Sequence, residues 1–238
     1  MPEAYRTQIN DVLLAALAEA LGAWAGASVV LFDLEAHGRE DLFDDVDLTR
    51  TVGWFTAMFP VALELPAGAG AGELLVSVKE QLRAVPNRGI GYGLLRYLRG
   101  DEELSTALRA QPQAEVRFNY LGQLDQRLPQ DAPLRAAREP AGPARSMRGR
   151  RRHAIDVLVS IMGGCLHARF AYVEDRYHRA TAVSLAEGFL ASLQALIAHC
   201  LDPRAGGVTS SDLQMQGLTQ DTLDFVVGLD PNAEDEEC

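Results

Sequence analysis

The sequence predicts a layered domain of α/β or α+β class, and three observations point there. Short apolar runs of strand character alternate along the chain with longer stretches of helical period. A Gly-Gly pair separates two of the strand-like runs, a strong hairpin signal. The composition is ordinary for a globular protein, with 238 residues, 47% hydrophobic and 23% charged, which excludes collagen, coiled coil and wholesale disorder. The length suits one large domain or two small ones and is enough to bury a core.

Residues 7–24 read as a helix, with Ile9, Val12, Leu13, Leu17, Ala20, Leu21 and Trp24 on one face. Residues 28–34 form a nearly continuous apolar run, the pattern of a buried strand. Residues 57–65 alternate through Phe59, Val61, Leu63 and Leu65, and Pro60 marks an edge or a strand start. After a glycine-rich loop, residues 73–84 read as a helix that Pro86 ends. The turn NRGIGYG follows, then a helical stretch over 94–110. Residues 114–121 alternate through Val116, Phe118 and Tyr120. Residues 125–150, rich in Pro, Gly, Gln and Arg, read as a long loop. Strands at 154–162 and 165–173 flank Gly163-Gly164. A helix over 181–200 carries Val183, Leu185, Phe189, Leu193, Leu196 and Ile197. A short helix near 219–227 precedes the acidic tail. No internal repeat is visible.

The net charge is −11, with 33 acids against 22 Lys plus Arg, and Lys79 is the sole lysine. An acidic chain is a poor candidate for holding nucleic acid, which wants a cationic face. The cluster RSMRGRRR at 145–152 reads as a solvated loop or a docking face for an acidic partner. No apolar run approaches the length of a membrane span, about 20 residues. No signal peptide precedes the first helix. The three cysteines are widely spaced, so neither a disulfide framework nor a zinc site is expected, and the reading is a cytoplasmic chain with reduced thiols. The chain carries no H-E-x-x-H, no G-x-S-x-G and no Walker loop. Gly89-x-Gly91-x-Gly93 has the wrong spacing for a dinucleotide site and follows a helix rather than a strand, so it reads as a turn that needs positive φ or close backbone packing.

Five stretches, taken in order, resemble the epimerization domain of nonribosomal peptide synthetases. They are NDVLLAAL at 10–17, EAHGRE at 35–40, RTVGWFTAMFPVALE at 50–64, PNRGIGYG at 86–93 and FNYLGQLD at 118–125. The resemblance covers about residues 5–212, leaving 213–238 as a short helix and acidic tail. Ala36 departs from the family's E-G-H-G-R-E, and the H-H-x-x-x-D-G motif of the family does not occur. The chain therefore resembles the C-terminal lobe of a two-lobed condensation fold related to chloramphenicol acetyltransferase, with a tunnel between the lobes. On that reading the chain alone is expected to self-associate through an exposed interlobe face and to show negligible epimerase activity.

The resemblance implies an activity that inverts the stereocentre beside a thioester carbonyl. No cofactor is bound directly. The substrate arrives on the 4'-phosphopantetheine arm of a peptidyl carrier domain, and the further partners are the N-terminal lobe and other synthetase domains, with no nucleic acid and no membrane. Epimerisation removes a weakly acidic α-proton and returns one to the opposite face, so it needs acid/base groups and donors near the enolate oxygen. Glu35, directly after the apolar run 28–34, is implied as the acid/base residue, with an ion pair to Arg39 or Arg50 as its structural reading. Asn119 and Tyr120 are also implied as site residues. Their period-two alternation sends them to opposite faces, so at most one normally meets a given cleft. His37 is counted with the substrate-binding residues, and its structural reading is to orient the loop or hydrogen-bond a neighbouring carboxylate; Arg39 is expected to pair with an acid of DLFDDVD, and Trp54 and Phe55 to line the substrate side or pack in the core. A lobe of a peptide-bond-forming condensation domain and a non-catalytic carrier-docking module remain as alternatives.

Overall fold

The computed structural model describes residues 2–124 and 149–212, together with the single positions 133, 139, 142 and 146. The expected helix near 219–227, the acidic tail and most of the 125–150 loop lie outside the described residues. The elements run α1 (Pro2–Tyr5), α2 (Ile9–Ala25), β1 (Val29–Ala36), β2 (Ala57–Glu64), α3 (Ala71–Arg83), a 3₁₀ turn (Pro86–Gly89), α4 (Gly91–Gly93), a π-helical turn (Leu94–Leu98), α5 (Glu102–Ala110), β3 (Val116–Gln123), β4 (Ile155–Met162), β5 (Cys165–Tyr172) and α6 (Arg179–Cys200). They form two compact units, one of residues 1–28, 64–84 and 189–238, the other of 29–63 and 85–188.

In the first unit α2 packs on α3. Its N-terminus is capped by the Asp11 carboxylate, which accepts the Gln8 N–H at 2.7 Å. Residues Val12 to Ala18 are buried all round, so α2 has no exposed stripe, while Ile9 and Trp24, expected on a buried face, are exposed. Short alanines around the helix let neighbours approach from every side. The Lys79 side chain, on α3, is 0% exposed. Its ammonium donates to the Tyr5 carbonyl at 2.9 Å and to Asp212 Oδ2 at 2.9 Å. Arg83 donates to the other Asp212 oxygen at 2.6 Å.

The second unit holds a five-stranded sheet in the order β2-β1-β3-β4-β5. β1, β3 and β4 are parallel, and β4 pairs antiparallel with β5. Pro60 lies in β2, an edge strand, where a missing N–H costs no ladder bond. Gly163 and Gly164, at φ +61° and +71°, close the β4–β5 hairpin as the sequence predicts. Period two sends Val30, Phe32 and Leu34 to one face of the sheet. The register aligns them with Val116, Phe118, Ile155, Val157 and Val159, and all eight are buried. The opposite face is polar and carries the candidate site.

The helix expected over 94–110 is two pieces. Gly100, at φ +74°, breaks it, and the Asp101 carboxylate caps α5 by accepting the Leu104 N–H at 3.0 Å. Of the PNRGIGYG glycines only Gly89 needs its lack of a side chain, because a Cβ there would lie 2.3 Å from the Phe59 ring. Gly91 and Gly93 are ordinary helical residues. α6, against expectation, is long and apolar enough to cross a membrane by length and composition. Glu187, Ser192 and Gln194 interrupt its apolar run in sequence without lowering the average enough. Its buried apolar positions, Ala182, Leu185, Phe189, Leu193 and Leu196, form one face, and Val183 and Ile197, expected with them, are exposed.

Candidate functional site

The polar face of the sheet arises from one simple fact. Each of three neighbouring parallel strands places a charge where the alternation leaves the core. Asp33 aligns with Arg117, and Arg117 with Asp156. One pleat further along, Glu35 aligns with Asn119. The result is a row of alternating charge. Glu35 Oε2 lies 3.4 Å from an Arg117 terminal nitrogen. Arg117 Nε donates to Asp156 Oδ1 at 2.8 Å. Arg151 stands 3.6 Å from Asp156 Oδ2. The Glu35 side chain is 16% exposed, so its carboxylate is neither sealed in nor freely solvated.

Asp33 is the deeper carboxylate. Its side chain is 6% exposed, and Oδ2 lies 2.7 Å from Nε2 of the buried His153. Arg152 approaches the same oxygen at 3.6 Å. Arg151 and Arg152, at the end of the basic cluster, thus make ion pairs on this face while their side chains stay about half exposed.

After Ala36 the chain leaves the sheet as an irregular segment. Ala36 ends β1 in extended backbone, so replacing the family's glycine there imposes no strain. The demanding position is Gly38, at φ +66°, where a Cβ would lie 1.7 Å from the Phe55 carbonyl oxygen. The His37 ring is exposed. Its Nδ1 accepts the Arg39 N–H at 2.9 Å, and its Nε2 lies 3.4 Å from Glu40. Arg39 takes no acid from DLFDDVD. It donates to the carbonyls of Leu48 and Thr51 at 2.7 and 2.8 Å, and its guanidinium lies 4.1 Å from the Phe55 ring centroid. Its planar donor fork and flat cation suit two carbonyls and an aromatic face at once. Neither Arg39 nor Arg50 pairs with Glu35 among the described contacts; that place belongs to Arg117.

Beside this face lies a cavity of about 380 Å³, walled by Phe55, Met58, Ile90, Tyr92, Leu94 and Tyr97, with Asp33 and Arg152 at its polar corner. Arg96 fixes two of the walls. It donates to the Tyr92 hydroxyl at 2.6 Å, and its guanidinium sits 5.7 and 5.3 Å from the Tyr92 and Tyr97 centroids.

The structure thus brings Glu35 and Asn119 together on one face. Tyr120 aligns with the buried Val159 on the opposite face, just before an irregularity in the β3–β4 register. Phe55 reaches the cavity. Trp54 is 89% exposed, which excludes the core-packing role the sequence allowed it. The residues missed are Asp33, Arg117, His153 and Asp156. The available signal was a charge in the middle of each of three apolar strands, LFDL, VRF and IDV. Among the described residues no group of His, Cys, Asp and Glu is arranged to hold a metal ion.

Comparisons with known proteins identify the family and the fold. The model of the Condensation domain family matches residues 1–219, and the chain belongs to that family. It is 44% identical over 99% of its length to a linear gramicidin synthase protein of Brevibacillus parabrevis. It is 41% identical over 93% of its length to surfactin synthase subunit 1 of Bacillus subtilis. These relatives are nonribosomal peptide synthetase proteins, and the chain spans only 5% and 6% of their lengths. Among solved structures it is similar to the epimerization domain from the third module of tyrocidine synthetase B, at 34% identity and a TM-score of 0.73, covering 82% of this chain and 43% of that one. The first condensation domain of the calcium-dependent antibiotic synthetase shares the fold at 18% identity and a TM-score of 0.53, over 84% of this chain and 40% of that one.

Proposed function

We propose that this chain is part of a nonribosomal peptide synthetase epimerization domain, which inverts the α-carbon of an aminoacyl or peptidyl thioester held on the phosphopantetheine of a carrier protein. The observation that carries the reading is Glu35, a partly exposed carboxylate near the end of β1, in register with Asn119 and, among the described residues, paired with the Arg117 guanidinium. The likeness to the tyrocidine epimerization domain favours this chemistry over peptide-bond formation, because the condensation-domain likeness at 18% identity speaks for the fold alone.

In this mechanism the Glu35 carboxylate takes the α-proton or returns it. The C–H electron pair moves onto the thioester oxygen as an enolate, and a second acid on the far side of the α-carbon completes the exchange. No atom is gained or lost. Asn119, on the same face, hydrogen-bonds the thioester carbonyl or a pantetheine amide. Tyr120 acts only if the register irregularity after it turns its hydroxyl toward that face. His37 holds the turn that follows Glu35. Phe55 and the exposed Trp54 contact the substrate arm.

The test is Glu35→Gln in a polypeptide that carries this chain within the complete two-lobed domain. The stereochemistry of a carrier-bound residue is read by chiral chromatography after release from the thioester. Glutamine keeps the shape and removes the proton-transfer group, so inversion should fall by about a hundredfold or more. Inversion at the wild-type rate would remove Glu35 from the mechanism.

A further inference from the structure

The cavity beside the sheet has a chemistry of its own. Most of its lining is aromatic or aliphatic, and its one buried acidic residue is Asp33. Both contacts made by that carboxylate, His153 and Arg152, fall on Oδ2. Oδ1 has no hydrogen-bond partner among the described residues, although the residue is only 4% exposed. A largely buried acceptor with spare capacity at the edge of an apolar cavity calls for a donor attached to an apolar group. His153 and Arg152 keep the carboxylate in place without using that oxygen. Glu35 lies two residues further along β1 on the same face, about 7 Å away by the strand rise. In an amino-acid residue the α-nitrogen, the α-hydrogen and the side chain all hang from one carbon, so two carboxylates one pleat apart can address the nitrogen and the hydrogen together.

We propose that this cavity receives the residue whose α-carbon is inverted: its apolar or aromatic side chain lies between Phe55, Ile90 and Tyr97, and its α-nitrogen donates to Asp33 Oδ1. The naming of the ligand as a carrier-bound residue rests on the epimerase reading above; the affinity of the cavity for an N–H donor beside an apolar group does not. An ammonium from an aminoacyl group and an amide N–H from a peptidyl group present the same donor. Asp33 is then a specificity and positioning residue, and the proton transfer stays with Glu35.

The experiment titrates the full chain with three methyl esters, followed by NMR. Phenylalanine methyl ester offers an ammonium, N-acetylphenylalanine methyl ester offers an amide N–H, and methyl 3-phenylpropanoate offers neither. At least one nitrogen-bearing ester should bind about fivefold or more tighter than the third. Stronger binding of the ammonium ester assigns an aminoacyl substrate, and stronger binding of the acetylated one a peptidyl substrate. Asp33→Asn should weaken the ammonium ester about tenfold and leave the nitrogen-free ester unchanged. Ile90→Trp, which fills the cavity away from the carboxylate, should weaken all three. Equal binding of the three esters, no saturable binding, or insensitivity to Ile90→Trp overturns the proposal. The two readings fail separately. Ester binding alongside inversion that survives Glu35→Gln rejects only the acid/base role, whereas Glu35-dependent inversion without ester binding rejects only the cavity.

Discussion

Arg117 shows how much of the site depends on one side chain. Among the described residues it is the cation that touches both the Glu35 and the Asp156 carboxylates. Arg117→Met would leave two acids facing each other without it. The expected result is a loss of about 1–2 kcal/mol in urea unfolding, because the groups are only partly exposed, and a fall in inversion rate beyond what that stability loss explains. Arg117→Lys should restore the stability better than the rate, since an ammonium cannot reproduce the fork that engages both partners. Lys79 and Asp212 are the structural counterpart. Burial alone would raise the Asp212 carboxyl pKa, but hydrogen bonds from the Thr209 N–H, Arg83, Lys79 and the Thr209 hydroxyl outweigh it and hold the group well below the ordinary carboxylate range. A carboxyl depressed in the folded state stabilises fully above its unfolded value, about 4, and that stability is lost as the pH falls through the folded value. Asp212→Asn should therefore destabilise the chain by about 3 kcal/mol at pH 7, where it strands a buried ammonium. The gap from wild type should narrow as unfolding is measured at successively lower pH below 4. A gap constant from pH 7 to 2 would contradict this assignment. A lone lysine in an arginine-rich sequence gave no sign that it would be buried, because its partners lie 74 and 133 positions away.

At the scale of elements, what the sequence carried depended on whether the signal was local. The strands were legible because alternation and apolar runs are local, and β3, β4 and the β4–β5 turn lie within two residues of the expected bounds. β1 runs two residues past the expected end and takes in Glu35 and Ala36, because parallel pairing with β3 extends the ladder to Glu35. The helix expected at 94–110 failed at Gly100, where a left-handed residue interrupts a pattern that periodicity alone carries straight through. Glu35 and Asn119 were legible through motif order. Their shared face depends on strand register, which no local pattern reports, and so did the row Asp33, Arg117 and Asp156. The turn after β1 supplies its own test. Gly38→Ala forces a Cβ into the Phe55 carbonyl at a left-handed φ, so it should lower stability by about 2 kcal/mol or more and displace Glu35. Ala36→Gly, in extended backbone, should cost no more than about 1 kcal/mol. Paired thermal melts decide it; equal losses would mean that Ala36, not Gly38, is the constrained position.

For the whole molecule, the acidic net charge of −11 coexists with an ordered, partly cationic polar sheet face. The second unit also exposes Phe43, Val52, Trp54 and Leu98, large apolar side chains in open positions. Exposed apolar groups in this number favour association, so sedimentation of the 238-residue chain should show a concentration-dependent rise in mass that Trp54→Ser together with Leu98→Ser reduces. A monomer at every concentration would contradict that expectation. The central claim is that a carboxylate at the end of β1 moves the α-proton of a carrier-bound residue. The most direct measurement is deuterium uptake at that carbon in heavy water, comparing the two-lobed domain with its Glu35→Gln variant by mass spectrometry of the released residue. The account predicts rapid uptake with the wild-type residue and, with glutamine, uptake slowed by about a hundredfold or more. Uptake at equal rates in the two proteins would contradict it.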